Sequence, residues 1–189
     1  MFDSLINYLK ELFGLKTKPI YEAELEVIPD SPINEVEPIP AAQRPLEFAD
    51  LDWGFEALKY KGTKEVSGKN DNPVIVSWYK DVVGKVYHDE TANCMAFMMA
   101  VLKRSGYQFE KTLWAADIKK VGTACSLKVG CMVGKKSTAA ASGVHVTFCK
   151  SINLKNGTFE GFGANQGNET KSSTFLISDV LYTRWPVKA

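Results

Sequence analysis

The order of patterns along the chain predicts an α+β fold. Helical patterns come first, at residues 52–61, from Asn72 and Pro73 onward, at 93–105 and at 113–120. Short β-rich runs separated by glycine, asparagine and serine come later, at 127–133, 144–152, 158–162, 173–177 and 180–185. This order is typical of a largely antiparallel sheet packed on a central helix.

Residues 93–105 form the strongest helical pattern of the chain. Apolar residues surround this segment on nearly all sides, and Gly106 supplies a stop signal after it. Its apolar residues include Met95, Ala96, Met98, Met99, Ala100 and Leu102. Because a helix that is apolar all round is a buried helix, we expect this segment at the centre of the core.

The first 45 residues differ in composition from the rest. Residues 1–15 are predicted to form an amphipathic helix whose apolar residues recur at helical spacing: Phe2, Leu5, Ile6, Leu9, Leu12 and Phe13. Residues 16–45 contain six prolines with acidic residues between them, which favours a semi-rigid linker. A compact domain is therefore predicted at residues 46–189. We expect the apolar stripe of the first helix to pack on this domain, on another copy of the chain or on a partner.

Charge and hydropathy exclude some classes of protein. The 189 residues include 23 Lys and Arg against 22 Asp and Glu, so no overall basic field would attract nucleic acid. No apolar run approaches the roughly 20 residues of a transmembrane helix. Asp3 and Asn7 interrupt any signal-peptide pattern, so we expect synthesis in the cytoplasm without a signal peptide. The four cysteines are too sparse for a disulfide framework and are expected to be free thiols.

Cys94 is the candidate nucleophile. It lies at the predicted start of the central helix, directly after Asn93, which is a residue type that caps helices. Unpaired backbone N–H groups and the helix dipole at that position favour a thiolate. The alternative is that Cys94 is one more small apolar residue of a buried helix.

His145 is the candidate base. It lies in a strand-like run after Gly143, and a strand holds an imidazole rigidly, as a base requires. The alternatives are a core histidine with a structural role, and His88 as the base, which a polar loop is expected to expose. Asn165, between small residues, is the candidate that orients the imidazole. The alternative for Asn165 is a turn-forming role.

No cofactor or metal is predicted. The cysteines and histidines could in principle bind zinc, but the sequence contains no CxxC pair and no HExxH helix. Phosphate-binding loops and dinucleotide fingerprints are also missing from the sequence.

Motifs in about the last 135 residues resemble those of a known superfamily. The matching stretches are Gly62-Thr63-Lys64-Glu65, Asn72-Pro73, Asp89-Glu90-Thr91, Ala96-Phe97, Lys103 to Gly106, His145-Val146, Gly163-Ala164-Asn165-Gln166 and Tyr182-Thr183-Arg184-Trp185-Pro186. In this order they resemble the cell-wall hydrolases of the NlpC/P60 and CHAP superfamily, in particular small phage endolysin-like proteins. The resemblance implies a papain-like fold with Cys94 as nucleophile, His145 as base and Asn165 as orienting residue. Two stretches depart from the family pattern: Ala92-Asn93 replaces Pro-Trp before the cysteine, and Val129-Gly130-Cys131 replaces a Gly-Asp pair.

The resemblance implies a function at the bacterial cell wall. The expected activity is a peptidoglycan amidase or endopeptidase, delivered to the wall by lysis machinery or by a virion. Two alternatives stay open. One is a catalytically silent wall-binding or virion structural module, and the other is a secreted amidase effector with a cognate inhibitor.

Overall fold

The computed structural model describes residues 44–68 and 70–189. The predicted helix at 1–15 and all but the last two residues of the predicted linker lie outside this part. The prediction of an α+β fold with an antiparallel sheet is confirmed. Six strands pair in the order β1-β6-β2-β3-β4-β5. The strands are β1 (Thr123–Ala124), β2 (Met132–Lys136), β3 (Val144–Asn153), β4 (Thr158–Gly163), β5 (Lys171–Leu176) and β6 (Val180–Trp185).

Three α-helices precede the sheet in the sequence: α1 (Asp52–Leu58), α2 (Pro73–Val83) and α3 (Cys94–Arg104). Helix α2 begins as predicted, since the Asn72 side chain accepts a hydrogen bond from the Val74 N–H at 2.9 Å and Pro73 occupies the first turn. Gly84, in the left-handed conformation, ends that helix. Within the described ranges, no helix is long and apolar enough to cross a membrane.

Helix α3 is the centre of the core, as its sequence predicts. Every residue of α3 from Cys94 to Leu102 is buried, and the helix packs against α1, α2 and β3. The Phe97 ring contacts Trp78 on α2 and Phe148 on β3, with ring centroids 5.0 and 6.4 Å away. A second core cluster lies on the other face of the sheet, with Cys131, Val133, Cys149 and Phe159 as its buried members.

The structure differs from the prediction at two places before β3. Most of the predicted strand at 127–133 is irregular, with a turn at Val129-Gly130 closed by a hydrogen bond from Cys131 N–H to Lys128 O at 3.1 Å, and β2 begins only at Met132. Gly130 has a positive φ of 88° in this turn, and a Cβ there would lie 2.1 Å from the Leu51 side chain. The predicted helix at 113–120 is a 3-10 helix at Ala115–Lys120.

Phe48 allows a test of the domain boundary predicted at Leu46. Its side chain is 2 % exposed, and its ring centroid lies 5.8 Å from that of Phe148 and 6.1 Å from that of Phe162. A chain that begins at Leu46 keeps Phe48 and loses the exposed Arg44–Asp50 ion pair. We expect its free energy of unfolding to stay within about 1 kcal/mol of the full chain.

A chain that begins at Leu51 is the matched control. It lacks Phe48 and is expected to lose about 3–5 kcal/mol, as do other deletions of a buried phenylalanine side chain. Urea unfolding followed by tryptophan fluorescence measures both chains. A large loss in the chain from Leu46 would show that earlier residues complete the core.

Candidate functional site

The Cys94 thiol lies at the first residue of α3 and is 5 % exposed. Burial raises the pKa of this thiol above its ordinary value, since charge is disfavoured away from water. Three backbone N–H groups lower the pKa, but by less than burial raises it; they belong to Val146, Met95 and Cys94 itself. In the resting structure Cys94 is therefore a neutral thiol.

Asn93 does not cap α3, in contrast to the sequence prediction. Its side-chain amide donates instead to Glu65 Oε1 at 2.8 Å and to Asp89 O at 3.2 Å. The Asn93 side-chain oxygen Oδ1 is buried and has no hydrogen-bond partner among the described residues. The Asn93 side chain thus joins two loops and accepts no hydrogen bond from the first turn of α3.

The Asp89 carboxylate fixes the loop that leads to Cys94. Asp89 is fully buried, and its Oδ2 accepts hydrogen bonds from the N–H groups of Val66 and Asn72, both at 2.8 Å. Asp71 in turn accepts from the Asp89 N–H at 3.0 Å. Neighbouring His88 pairs with Asp71 at 3.2 Å, has a side chain that is 82 % exposed and is not part of the cavity wall described below. This position does not favour His88 as the base.

His145 lies near the beginning of β3, directly opposite Lys135 on β2. Its half-buried ring interacts with Gln166, with His145 Nε2 3.4 Å from Gln166 Oε1. Burial lowers the pKa of His145 to about 4; the Gln166 contact raises it and the Lys135 charge lowers it further. His145 is therefore neutral near pH 7, as a base must be before it accepts a proton.

Gln166 determines which nitrogen of His145 carries the proton. Gln166 is buried, and its Nε2 donates to Gly161 O at 3.2 Å and to Lys171 O at 2.5 Å. Because backbone carbonyls only accept, the amide nitrogen must face them and Oε1 must face His145. The neutral ring therefore donates through Nε2 and leaves the lone pair of Nδ1 available.

Asn165 does not make the orienting contact predicted for it. Gln166 makes that contact instead, and the described residues give no hydrogen bond from the Asn165 side chain. The reason is local: Asn165 has φ 57°, a left-handed conformation that turns the chain after β4, and the Gln166 side chain bonds to carbonyls of β4 and β5. This left-handed conformation agrees with the turn-forming alternative for Asn165, and the same sequence motif contains Gln166.

The three predicted residues nevertheless line one cavity. Cys94, His145 and Asn165 all contribute to a cavity of about 370 Å³, together with Trp114 and the loop before β3. No hydrogen bond joins the Cys94 thiol to His145 in the described part of the chain. A thiol and a neutral imidazole thus line the same cavity and are not hydrogen-bonded to each other.

The other three cysteines lie elsewhere. Cys131, directly before β2, and Cys149, on β3, are buried neighbours in the core cluster on the sheet face opposite α3, and Cys125 packs against this cluster. All four cysteines are free thiols. Within residues 44–68 and 70–189, no group of three or more His, Cys, Asp or Glu side chains could hold a metal ion.

Comparison of the sequence with known protein families and with curated proteins finds no match.

The environment of His145 predicts a titration that can be measured. We expect a neutral ring with its proton on Nε2 from about pH 8 down to about pH 4. The folded pKa lies below the ordinary value of 6.5, so the stability that requires a neutral ring is present above pH 6.5 and is lost as the pH falls toward 4. Nitrogen-15 correlation spectra of the imidazoles measure both properties.

The chain has two histidines, so two imidazole signals are expected. The signal that disappears in His145→Gln belongs to His145, and the remaining signal belongs to the exposed His88. The difference in stability between wild type and His145→Gln should change over the same pH range. A His145 ring that is already protonated at about pH 6, or that carries its proton on Nδ1, would contradict this prediction.

Proposed function

We propose that this chain is a cysteine hydrolase with a papain-like fold that cuts an amide bond in the peptide of bacterial peptidoglycan. The observation that carries the proposal is the single cavity lined by Cys94, His145 and Asn165. The substrate class rests on the resemblance to NlpC/P60 and CHAP cell-wall hydrolases.

The chemistry is an acyl transfer in two steps. The Cys94 sulfur attacks the amide carbonyl carbon while His145 accepts the thiol proton, and His145 then gives that proton to the leaving amine. A thioester joins the acyl group to Cys94. Water, deprotonated by His145, attacks the thioester and restores the thiol. The N–H of Cys94, at the start of α3, is placed to donate to the oxyanion.

Gln166 serves as the positioning residue for His145 in this mechanism. Its amide is held by two backbone carbonyls, so it keeps the proton on Nε2 and the Nδ1 lone pair available for the thiol proton. Asn165 lines the cavity and shapes the chain so that Gln166 reaches the ring.

Without substrate, the site does not favour an ion pair of Cys94 thiolate and His145 imidazolium. The thiol proton is instead transferred to His145 while the sulfur attacks the substrate carbonyl. The pKa of Cys94 is raised and that of His145 is lowered, so both groups are neutral before substrate binds. Catalytic hydrogen bonds are often long or incomplete without substrate and form in the substrate complex.

A second candidate function is a catalytically silent module that binds cell-wall peptide. The observation that favours it is the missing hydrogen bond between the buried Cys94 thiol and His145. Such a module would bind purified peptidoglycan without releasing fragments. Mass spectrometry of the soluble fraction after incubation separates the two functions.

Cys94→Ala should abolish fragment release from purified sacculi, with a loss of about a thousandfold or more, because the nucleophile is gone. Cys149→Ala is the matched control. It removes an equally buried thiol from the other face of the sheet, so it should lower stability slightly and leave the rate unchanged. An active Cys94→Ala protein, or an inactive Cys149→Ala protein that still folds, would reject the assignment.

The three other site residues should differ in importance on one soluble muropeptide. His145→Ala removes the base and should cost about 10²–10⁴-fold in rate. Gln166→Ala only loosens the ring and should cost up to about 10²-fold. Asn165→Gly removes a side chain without straining the positive φ, so activity should stay close to wild type.

Circular dichroism and thermal melting should accompany these rates, since Gln166→Ala also removes the hydrogen bonds to two backbone carbonyls. A larger loss of rate in Asn165→Gly than in a folded Gln166→Ala protein would show that Asn165, and not Gln166, orients the imidazole.

A further inference from the structure

A second cavity lies next to the first. It has a volume of about 410 Å³, and Ser137, His145 and Asn165 line both cavities. Its other walls come from β2, β5 and the turn after β4: Lys135, Ser137, Gln166, Gly167, Lys171, Ser173 and Phe175. Among the described residues, no Asp or Glu lines this cavity. Its charged groups are two lysines, which makes it a site of positive potential beside the candidate base.

Lys135 is the more unusual of the two lysines. It is half-buried, its Nζ lies 4.7 Å from the Phe175 ring centroid, and that Nζ donates to Lys136 O at 2.7 Å. None of the ion pairs formed within residues 44–68 and 70–189 includes Lys135. An ammonium group has three N–H donors, so two remain for a ligand. A half-buried cation without a carboxylate partner favours binding of an anion.

Lys171 and Ser173 extend the row of donors along β5. Lys171 forms only a long contact with Glu169, at 3.8 Å, and its side chain is 42 % exposed. The Ser173 Oγ lies 3.2 Å from Gln166 Nε2, which cannot accept a hydrogen bond, so the hydroxyl proton of Ser173 is available to a ligand. Residues 171, 173 and 175 point to one face of the strand. These groups offer donors and positive charge to one ligand.

We propose that this second cavity, here named the lysine subsite, binds a carboxylate of the peptide substrate close to the bond that is cut. Lys135, Lys171 and Ser173 supply the donors. The proposal rests on the proposed hydrolase function and adds the chemical class that the enzyme selects, a peptide with a free carboxylate near the scissile amide. A carboxylate accepts several charge-assisted hydrogen bonds, whereas its amide derivative carries no charge to offset Lys135.

The test compares two cell-wall peptides that differ only in one carboxylate, which is free in one peptide and amidated in the other. Lys135→Met keeps most of the apolar stem and removes the charge. We expect wild type to prefer the free carboxylate, and kcat/KM for that peptide to fall about tenfold or more in Lys135→Met. Hydrolysis of the amidated peptide should not fall, because an amide carries no charge for Lys135 to offset.

Lys155→Met is the matched control, because Lys155 is exposed and lies beyond the opposite end of β3 from His145. It should leave both rates unchanged. Equal losses on both peptides, or no loss in Lys135→Met, would overturn the lysine subsite while the hydrolase function stands.

Binding measurements keep the two proposals distinguishable. If wild type cuts neither peptide, the hydrolase function fails, and calorimetry with the Cys94→Ala protein then tests the subsite alone. Tighter binding of the free carboxylate, lost when Lys135→Met is added, supports the lysine subsite. Equal affinity for both peptides, or binding of neither, overturns it. In the peptide-free protein, Lys135→Met should also shift the titration of His145 upward.

Discussion

The burial of α3 on every side is the constraint on which the rest of the structure depends. Nine consecutive residues of this helix are buried between two other helices and the sheet, so it cannot shift without opening the core. The thiol of Cys94 is thereby held at the edge of the cavity. The same burial raises the pKa of Cys94, so the packing that gives the thiol its position also lowers its reactivity at rest.

Rigid supports on both sides of the cavity follow from buried polar groups that find partners. On the helix side, the fully buried Asp89 carboxylate binds two N–H groups and holds the loop before Cys94. On the sheet side, the Gln166 amide binds two carbonyls and holds the imidazole. Breaking these hydrogen bonds would be costly because the groups are buried. Of the two networks the helix-side one is less completely paired, since Asp89 Oδ1 and Asn93 Oδ1 have no partner among the described residues.

The sequence predicts the elements of this fold better than the contacts of its site. The sequence predicts helix α3 and strand β3 because the apolar residues of each element and the glycine beside it indicate the same structure. Asn93 was expected to cap a helix and Asn165 to orient a ring, and in both cases the tertiary contacts differ. The left-handed backbone at Asn165 agrees with the turn-forming alternative, but the contact of Gln166 with His145 depends on tertiary structure that the local sequence does not specify. The register that places Lys135 opposite His145 is likewise a property of strand pairing.

In the proposed mechanism, Lys135 would connect substrate recognition to the strength of the base. Burial is the largest cause that lowers the pKa of His145, and the charge of Lys135 lowers it further. An imidazole with a pKa of about 4 accepts a proton reluctantly from a thiol whose pKa is raised. A carboxylate bound in the lysine subsite would offset the charge of Lys135 and raise the pKa of His145, because an anion nearby favours the imidazolium. The peptide with a free carboxylate would therefore both fill the subsite and strengthen the base, whereas its amidated counterpart would leave His145 as weak as in the resting protein.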